Sequence, residues 1–198
     1  EALSSFDKEN FRLEIGHIGY FKELVAQLDV DDAVREEIRL LISAKNYPAL
    51  NDILDEVGDN QVTNALRQLP RLFGGVEVFD KAADIYTDDK ITGILYNLKE
   101  VYTRLSSLGY EGKISVDLGI VSHADYYIVF KGYLSEVGQS VLKGGRYDRL
   151  LAEFGNDCPA VGFGISVDSV ARHIEKLGGA PKLRTPDAVV FGEKGYVV

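Results

Sequence analysis

The sequence is poor in sulfur-containing residues, with one cysteine, Cys158, and no methionine among 198 residues. It has no tryptophan either. One cysteine cannot form a disulfide within the chain, and no CxxC pair or Cys/His cluster offers the spacing of a metal site. We therefore expect a reducing, cytoplasmic environment, no metal and no cofactor. Neither a 20-residue apolar run nor a basic-then-apolar leader is present, which argues against membrane insertion and export.

Basic residues are also scarce, with 22 Lys and Arg against 31 Asp and Glu and a formal net charge of -9. Residues 29–60 carry nine acidic residues and three basic ones. Such a surface repels a phosphate backbone, so nucleic acid is a poor candidate partner. The glycine patterns of dinucleotide sites and P-loops are missing as well. Hydrophobic residues make up 45% of the chain, enough for the core of a soluble globular protein.

The first 70 residues change from strand spacing to helix spacing. Apolar residues alternate over 11–18, which predicts a half-buried strand. From Tyr20 onward the apolar spacing predicts four short helices that end before Pro70, with Asp31 and Asn46 as N-caps. Residues 20–70 are therefore predicted to be a compact helical insertion.

Strands dominate the remainder of the chain. A long helix is predicted to end at Gly109, and it is followed by short strands that we expect to pair antiparallel and by a closing helix. The predictions are a helix over 94–108, strands over 114–120, 126–134, 139–143 and 159–165, a helix over 167–177 and a further strand over 187–191. This order predicts an α+β fold, an antiparallel sheet flanked by helices. We expect a core of residues 1–19 and 71–180 that is incomplete at its N-terminus, the insertion at 20–70, and the start of a C-terminal segment at 181–198.

Three motifs in the second half of the chain carry chemical information. They are SHADYY from Ser122 to Tyr127, GGRYD from Gly144 to Asp148, and PAVGFGI from Pro159 to Ile165. Tyrosines give an apolar wall with a polar tip, which suits an imidazole-sized ligand. A Gly-Gly turn lets the backbone approach a ligand closely. Taken alone, each motif is also compatible with tyrosines that only pack and with an ordinary hairpin turn.

In this order and spacing the motifs resemble the histidine-binding half of class II histidyl-tRNA synthetases, closely so over residues 114–177. That family reads Arg-Gly-Leu-Asp-Tyr-Tyr, then Gly-Gly-Arg-Tyr-Asp, then Pro-Ala-Val-Gly-Phe ending in Glu-Arg. The resemblance implies a class II aminoacyl-tRNA synthetase-like fold. It also implies a histidine-binding site made by Tyr126, Tyr127, Gly144, Gly145, Arg146 and Tyr147.

Three positions depart from the synthetase pattern. Ser122 and Ser169 stand where the family has its activation arginines, and Asp168 stands where it has glutamate. Amino-acid activation needs cations to neutralise the ATP phosphates and the adenylate, and a serine hydroxyl cannot replace a guanidinium. Losing one such group typically costs on the order of 10²-fold in rate. We therefore expect no catalytic residues and no aminoacylation.

A synthetase-like chain that keeps the pocket without these arginines resembles the regulatory subunits of ATP phosphoribosyltransferase. The segments FRLEIGH at 11–17 and LPRLFGGVEVF at 69–79 are similar to that family too. The resemblance implies a non-catalytic subunit of a glycosyltransferase that acts in the first step of histidine biosynthesis. It further implies the catalytic subunit as partner, commonly in a hetero-octamer, and histidine as feedback effector. The alternatives are a divergent histidyl-tRNA synthetase and a binding module unrelated to histidine synthesis.

Several polar residues allow two interpretations from sequence. Glu14, beside the predicted pocket, either holds an ammonium or imidazolium group or is solvated surface. Arg146 either binds a ligand carboxylate or only pairs with Asp148. The three histidines lack the neighbours of a metal or acid-base site, so His17, His123 and His173 are predicted to be structural.

Overall fold

The computed structural model describes residues 2–122 and 126–179, and within them six strands form one sheet in the order β2-β3-β1-β4-β5-β6. The strands are β1 Phe11–His17, β2 Phe73–Gly74, β3 Ile114–Asp117, β4 Ile128–Leu134, β5 Leu142–Tyr147 and β6 Ala160–Ile165. Every pair is antiparallel except β1 with β3, which run parallel. The predicted α+β fold is confirmed, with a sheet that is mixed because of this one pair.

Eight α-helices surround this sheet in the described parts of the chain. They are α1 Ala2–Phe6, α2 Ile18–Ala26, α3 Asp32–Ser43, α4 Tyr47–Val57, α5 Gln61–Gln68, α6 Glu77–Ile85, α7 Asp89–Leu105 and α8 Val167–Lys176. Both predicted N-caps are confirmed: the Asp31 carboxylate accepts the N–H of Val34 at 2.9 Å, and the Asn46 side chain accepts the N–H of Ala49. None of these helices is long and apolar enough to cross a bilayer.

The predicted turn at Gly144 and Gly145 is wrong, because both glycines lie inside β5. They pair with Phe130 and Val129 of β4 on one side and with β6 on the other. A Cβ atom on Gly144 would lie 2.4 Å from the carbonyl oxygen of Gly162. Glycine is therefore required here for close strand packing, and not for a turn.

Other differences concern element ends. Strand β3 stops at Asp117, so the predicted strand residues up to 120 form a turn, and Tyr126 and Tyr127 precede β4 instead of belonging to it. The sequence patterns did not predict helices α1 and α6. The strand predicted over 187–191 lies outside the described residues.

One apolar core joins the helices to one face of the sheet. Ile15 of β1 and Val116 of β3 are at most 2% exposed and belong to the same buried cluster as Leu24, Leu66 and Leu98 from α2, α5 and α7. A second, smaller core beneath α8 and α1 is formed by Leu3, Phe11, Leu134, Val141, Leu142 and Val170. The opposite face of the central strands is left for polar side chains.

Two of the three histidines are structural, as predicted, and His123 lies outside the described residues. Nε2 of His173 lies 3.2 Å from Oδ2 of Asp7, and this buried pair ties α8 to the segment after α1. Nδ1 of His17 accepts the N–H of Gly19 at 3.1 Å and so caps α2. Burial lowers the pKa of His17 from its ordinary 6.5 to about 4.

Replacing His17 by asparagine should make the fold less sensitive to acid. As the pH falls from 6.5 to about 4, the unfolded chain binds a proton at His17 that the folded chain does not bind, so the free energy of unfolding decreases. For the wild type this loss amounts to roughly 3 kcal/mol by pH 4. Asparagine keeps an oxygen for the Gly19 N–H and does not titrate.

Urea unfolding at about pH 7 and about pH 4.5 measures the difference. We expect the wild type to lose more stability between the two conditions than His17→Asn, although the variant starts lower at neutral pH. Equal losses would show that His17 is not held neutral by the fold.

Candidate functional site

A cavity of about 470 Å³ opens on the polar face of the sheet. Strands β1, β3, β4 and β5 form its floor, the turn after β3 forms one wall, and the end of α3 forms another. The volume suits a ligand of the size of an amino acid. The polar or aromatic side chains that line it include Glu14, Lys45, Asp117, Ser122, Tyr126, Lys131, Tyr133 and Lys143.

The polar face follows from the pairing of β1 with β4. Glu14 stands opposite Lys131 in the antiparallel register. The ammonium of Lys131 lies 3.2 Å from Oε1 of Glu14, and the hydroxyl of Tyr133 donates to Oε2 at 3.4 Å. The Glu14 side chain is only 13% exposed. Glu14 is therefore a cavity residue and not solvated surface.

Asp117 places a second carboxylate in the cavity, at the end of β3. It accepts the N–H of Gly119 at 2.8 Å. Burial raises the pKa of Asp117, and the neighbouring charge of Glu14 raises it further, against the opposing effects of the Gly119 hydrogen bond and of Lys131 and Lys45. Two carboxylates on one cavity favour a cationic group, such as an ammonium, between them.

Tyr133 adds a permanent hydrogen-bond donor. Burial, and then the charge of Glu14, raise the pKa of its phenol to about 12. The hydroxyl therefore stays protonated at neutral pH.

Three lysines give the same cavity positive charge. Lys131 is paired with Glu14, whereas Lys45 and Lys143 form no ion pair with any residue that the structure describes. Charges of both signs in one cavity suit a dipolar ligand.

Four of the six residues predicted to bind histidine come together around this cavity. Tyr126 and Gly144 line it. Tyr147 packs edge-on against Tyr126, with ring centroids 5.9 Å apart. Gly145 lies beneath the ring of Tyr126, because a Cβ atom there would be 2.8 Å from Tyr126 Cδ1. Gly145 thus makes room for the tyrosine wall.

The other two predicted residues, Tyr127 and Arg146, line a separate groove of about 530 Å³ together with His17 and residues of α7. Nε of Arg146 donates to both carboxylate oxygens of Asp148, at 2.8 and 3.1 Å. The structure thus shows the pairing of Arg146 with Asp148, and a ligand contact of Arg146 stays a prediction.

The two serines that replace arginines lie in different surroundings. Ser122 lines the 470 Å³ cavity. Ser169 is buried beside a cavity of about 340 Å³, where its oxygen accepts from Ser166 Oγ at 2.8 Å and from Gln139 Nε2 at 3.2 Å. Neither position brings a charge.

Sequence reasoning missed Lys45, Lys131 and Tyr133. For the two β4 residues a signal was present, since Lys131 and Tyr133 share the period-two face of an otherwise apolar strand. Lys45 reaches the cavity from a helix end that is remote in sequence, and no local spacing indicates this.

Comparison with known proteins places this chain in one family. The family model of histidyl-tRNA synthetase matches residues 1–170. An ATP phosphoribosyltransferase regulatory subunit from Clostridium kluyveri is 39% identical to this chain. The aligned region covers 98% of this chain and 51% of that relative. The chain thus spans about half the length of this relative.

Solved structures agree with the sequence comparison. An ATP phosphoribosyltransferase regulatory subunit/histidyl-tRNA synthetase from Bacillus halodurans matches 87% of this chain and 46% of its own, with a TM-score of 0.79 and 27% identity. A chain of an ATP phosphoribosyl transferase complex from Thermotoga maritima shares the fold over 82% of this chain and 55% of its own, with a TM-score of 0.63 and 18% identity. The chain therefore belongs to the histidyl-tRNA synthetase family, and within it is similar to ATP phosphoribosyltransferase regulatory subunits.

Proposed function

We propose that this chain is the histidine-binding part of a non-catalytic regulatory subunit of ATP phosphoribosyltransferase. In this role it partners the catalytic subunit in the cytoplasm, commonly as a hetero-octamer, and lets histidine regulate the first step of histidine biosynthesis. One observation carries the proposal. Ser122 lines a cavity that keeps carboxylates and tyrosines, while no arginine lines it among the residues that the structure describes.

The cavity has groups for each part of histidine. Glu14 and Asp117 can hold the α-ammonium between them. Tyr126 offers an aromatic wall for the faces of an imidazole, and the phenol oxygen of Tyr133, which donates to Glu14, can accept a hydrogen bond from the imidazole N–H. The sheet beneath fixes the positions of these side chains, since their backbones lie in or next to paired strands.

Activation of histidine would require more positive charge than the cavity offers. The ATP phosphates and the adenylate need closely placed, permanently charged donors. Serine has only a neutral hydroxyl, and Lys131 is already paired with Glu14. The chemistry of the site thus favours binding over catalysis.

The lysines favour a second candidate, a divergent histidyl-tRNA synthetase that uses Lys45, Lys131 and Lys143 in place of arginines. Histidine-dependent exchange of pyrophosphate into ATP by the full-length protein separates the two functions. We expect no exchange above background, because lysines lack the bidentate geometry of arginine. Robust exchange, comparable with that of an authentic histidyl-tRNA synthetase assayed in parallel, would support the synthetase and overturn the regulatory proposal.

Mixing the full-length protein with the ATP phosphoribosyltransferase catalytic subunit tests the partner. We expect a stable complex in sedimentation velocity and a higher turnover than the catalytic subunit has alone, and histidine should lower that turnover. A mixture that shows no association at micromolar concentration would favour a binding module unrelated to histidine synthesis.

The two adjacent tyrosines provide a matched test of the binding site. Tyr126→Ala removes the cavity wall and should weaken histidine binding about 5- to 30-fold, since an aromatic contact of this kind contributes on the order of 1–2 kcal/mol. Tyr127→Ala changes the separate groove and should alter the affinity less than about 3-fold.

Isothermal titration calorimetry with histidine measures both variants, and circular dichroism checks that both fold. A larger loss for Tyr127→Ala than for Tyr126→Ala would move the histidine site to the groove beside α7. Equal and large losses would indicate a disturbance of the whole segment before β4.

A further inference from the structure

The chain reverses direction after α3 through a residue with an unusual backbone conformation. The N–H of Asn46 donates to the carbonyl of Leu41 at 2.9 Å, and the N–H of Lys45 donates to that of Ile42 at 3.0 Å. These two bonds define a Schellman ending, whose left-handed residue is usually glycine because a Cβ atom is disfavoured there. Here that residue is Lys45, with a φ angle of 56°.

A lysine at a position that favours glycine points to a use for its side chain. Lys45 lines the 470 Å³ cavity and also an adjoining pocket of about 290 Å³, and it shares both with Glu14 and Asp117. Its charge acts on Asp117, where it opposes the rise in the pKa of that carboxylate. Lys45 is exposed and has no ion pair with a described residue, so its ammonium remains available to a ligand.

The chemistry of an α-amino acid restricts which lysine can serve it. The ammonium and the carboxylate of the ligand share one carbon atom, so the cation for the carboxylate must lie close to the acids that hold the ammonium. Lys131 is already paired with Glu14. Lys143 stands on β5, opposite Lys131, two strands away from Glu14 and thus roughly 10 Å across the sheet. Of the two lysines of the cavity that form no ion pair with a described residue, Lys45 is the one whose charge acts on the pKa of Asp117.

We propose that Lys45 binds the carboxylate of the amino acid in this cavity. This inference rests on the proposed function, because it assumes that the cavity binds histidine. It adds that the helical insertion, residues 20–70, contributes a ligand contact. Bound histidine would then connect the end of α3 to the sheet.

The backbone at Lys45 allows a test that separates binding from folding. Lys45→Gly removes the ammonium and at the same time relieves the left-handed backbone. If the side chain serves the ligand, the variant folds at least as stably as the wild type and binds histidine less well. If instead Lys45 stabilises the fold through Asp117, the variant is less stable.

Calorimetry with histidine and with histamine, which lacks only the carboxylate, identifies the contact. The wild type should bind histidine at least about 10-fold more tightly than histamine, the ratio expected of one charge-assisted hydrogen bond. In Lys45→Gly the histidine affinity should fall by about 10- to 100-fold, to that of histamine, while the histamine affinity changes less than about 2-fold. Lys45→Asn, which also tolerates the left-handed conformation, should behave alike.

Glu136→Gly is the matched control. Glu136 is the other non-glycine residue with positive φ in the described parts of the chain, at 60°, and it does not line this cavity. Its replacement should leave both affinities unchanged.

The outcomes separate this inference from the function on which it rests. Equal weakening of histidine and histamine in Lys45→Gly, or unchanged histidine affinity, would exclude Lys45 as the carboxylate contact and leave histidine binding intact. A wild type that gives no heat with histidine would overturn histidine binding in this cavity and the role of Lys45 with it.

Discussion

The antiparallel pairing of β1 with β4 is the constraint on which the site depends. Seven consecutive residue pairs fix this register, from Phe11 with Leu134 to His17 with Ile128. Because side chains alternate between the faces, a slip of one residue would move Glu14 of β1 or Lys131 of β4 into the apolar core, depending on which strand shifts. The register therefore decides at once which face joins the helices and which face carries charges. A buried carboxylate also needs its partner, since leaving a charge unpaired in such a place is costly.

Local rules predicted the parts of the fold that local interactions determine. The caps at Asp31 and Asn46 and the helices of residues 20–70 depend on neighbours within a few residues, and each could be identified from spacing. The parallel pairing of β1 with β3 could not, because a strand pattern says which residues share a face and not which strand lies alongside. The same limit explains Gly144 and Gly145. A glycine in the sequence indicates that another group comes close to the backbone. Only the folded sheet shows that these groups are the neighbouring strands β4 and β6.

The candidate site was predictable in part for a similar reason. The motif around Tyr126 and Tyr147 could be located from sequence, whereas the partners of Glu14 come from β4, over 100 residues away. Lys45, which lines the same cavity from the end of α3, is about 30 residues away from Glu14. The separation of Tyr126 from Tyr127 follows from the way the chain enters β4: the N–H of Tyr127 donates to the carbonyl of Arg146, and its own carbonyl accepts from Ile18. Bound on both sides by the backbone, Tyr127 lies in the groove beside α7 and not in the cavity.

The two serines that stand in place of the family's arginines have different surroundings. At Ser169 the hydroxyl is engaged by Ser166 and Gln139 in a buried cluster, so the local packing is now built around a small side chain. At Ser122 the small side chain lines the 470 Å³ cavity. A ligand can shift a protein between two states only if it binds one of them more tightly. A cavity whose walls come from both the sheet and the end of α3 has that property, because any movement of α3 relative to β1 changes the distance between the ligand contacts. Ile15 of β1 lies in the same apolar core as Leu24 and Leu66, so this packing resists movement of the whole helical insertion relative to the sheet. Under the proposed function, histidine would act on this wall at the turn around Lys45, because residues 43–45 are exposed and lie outside that core.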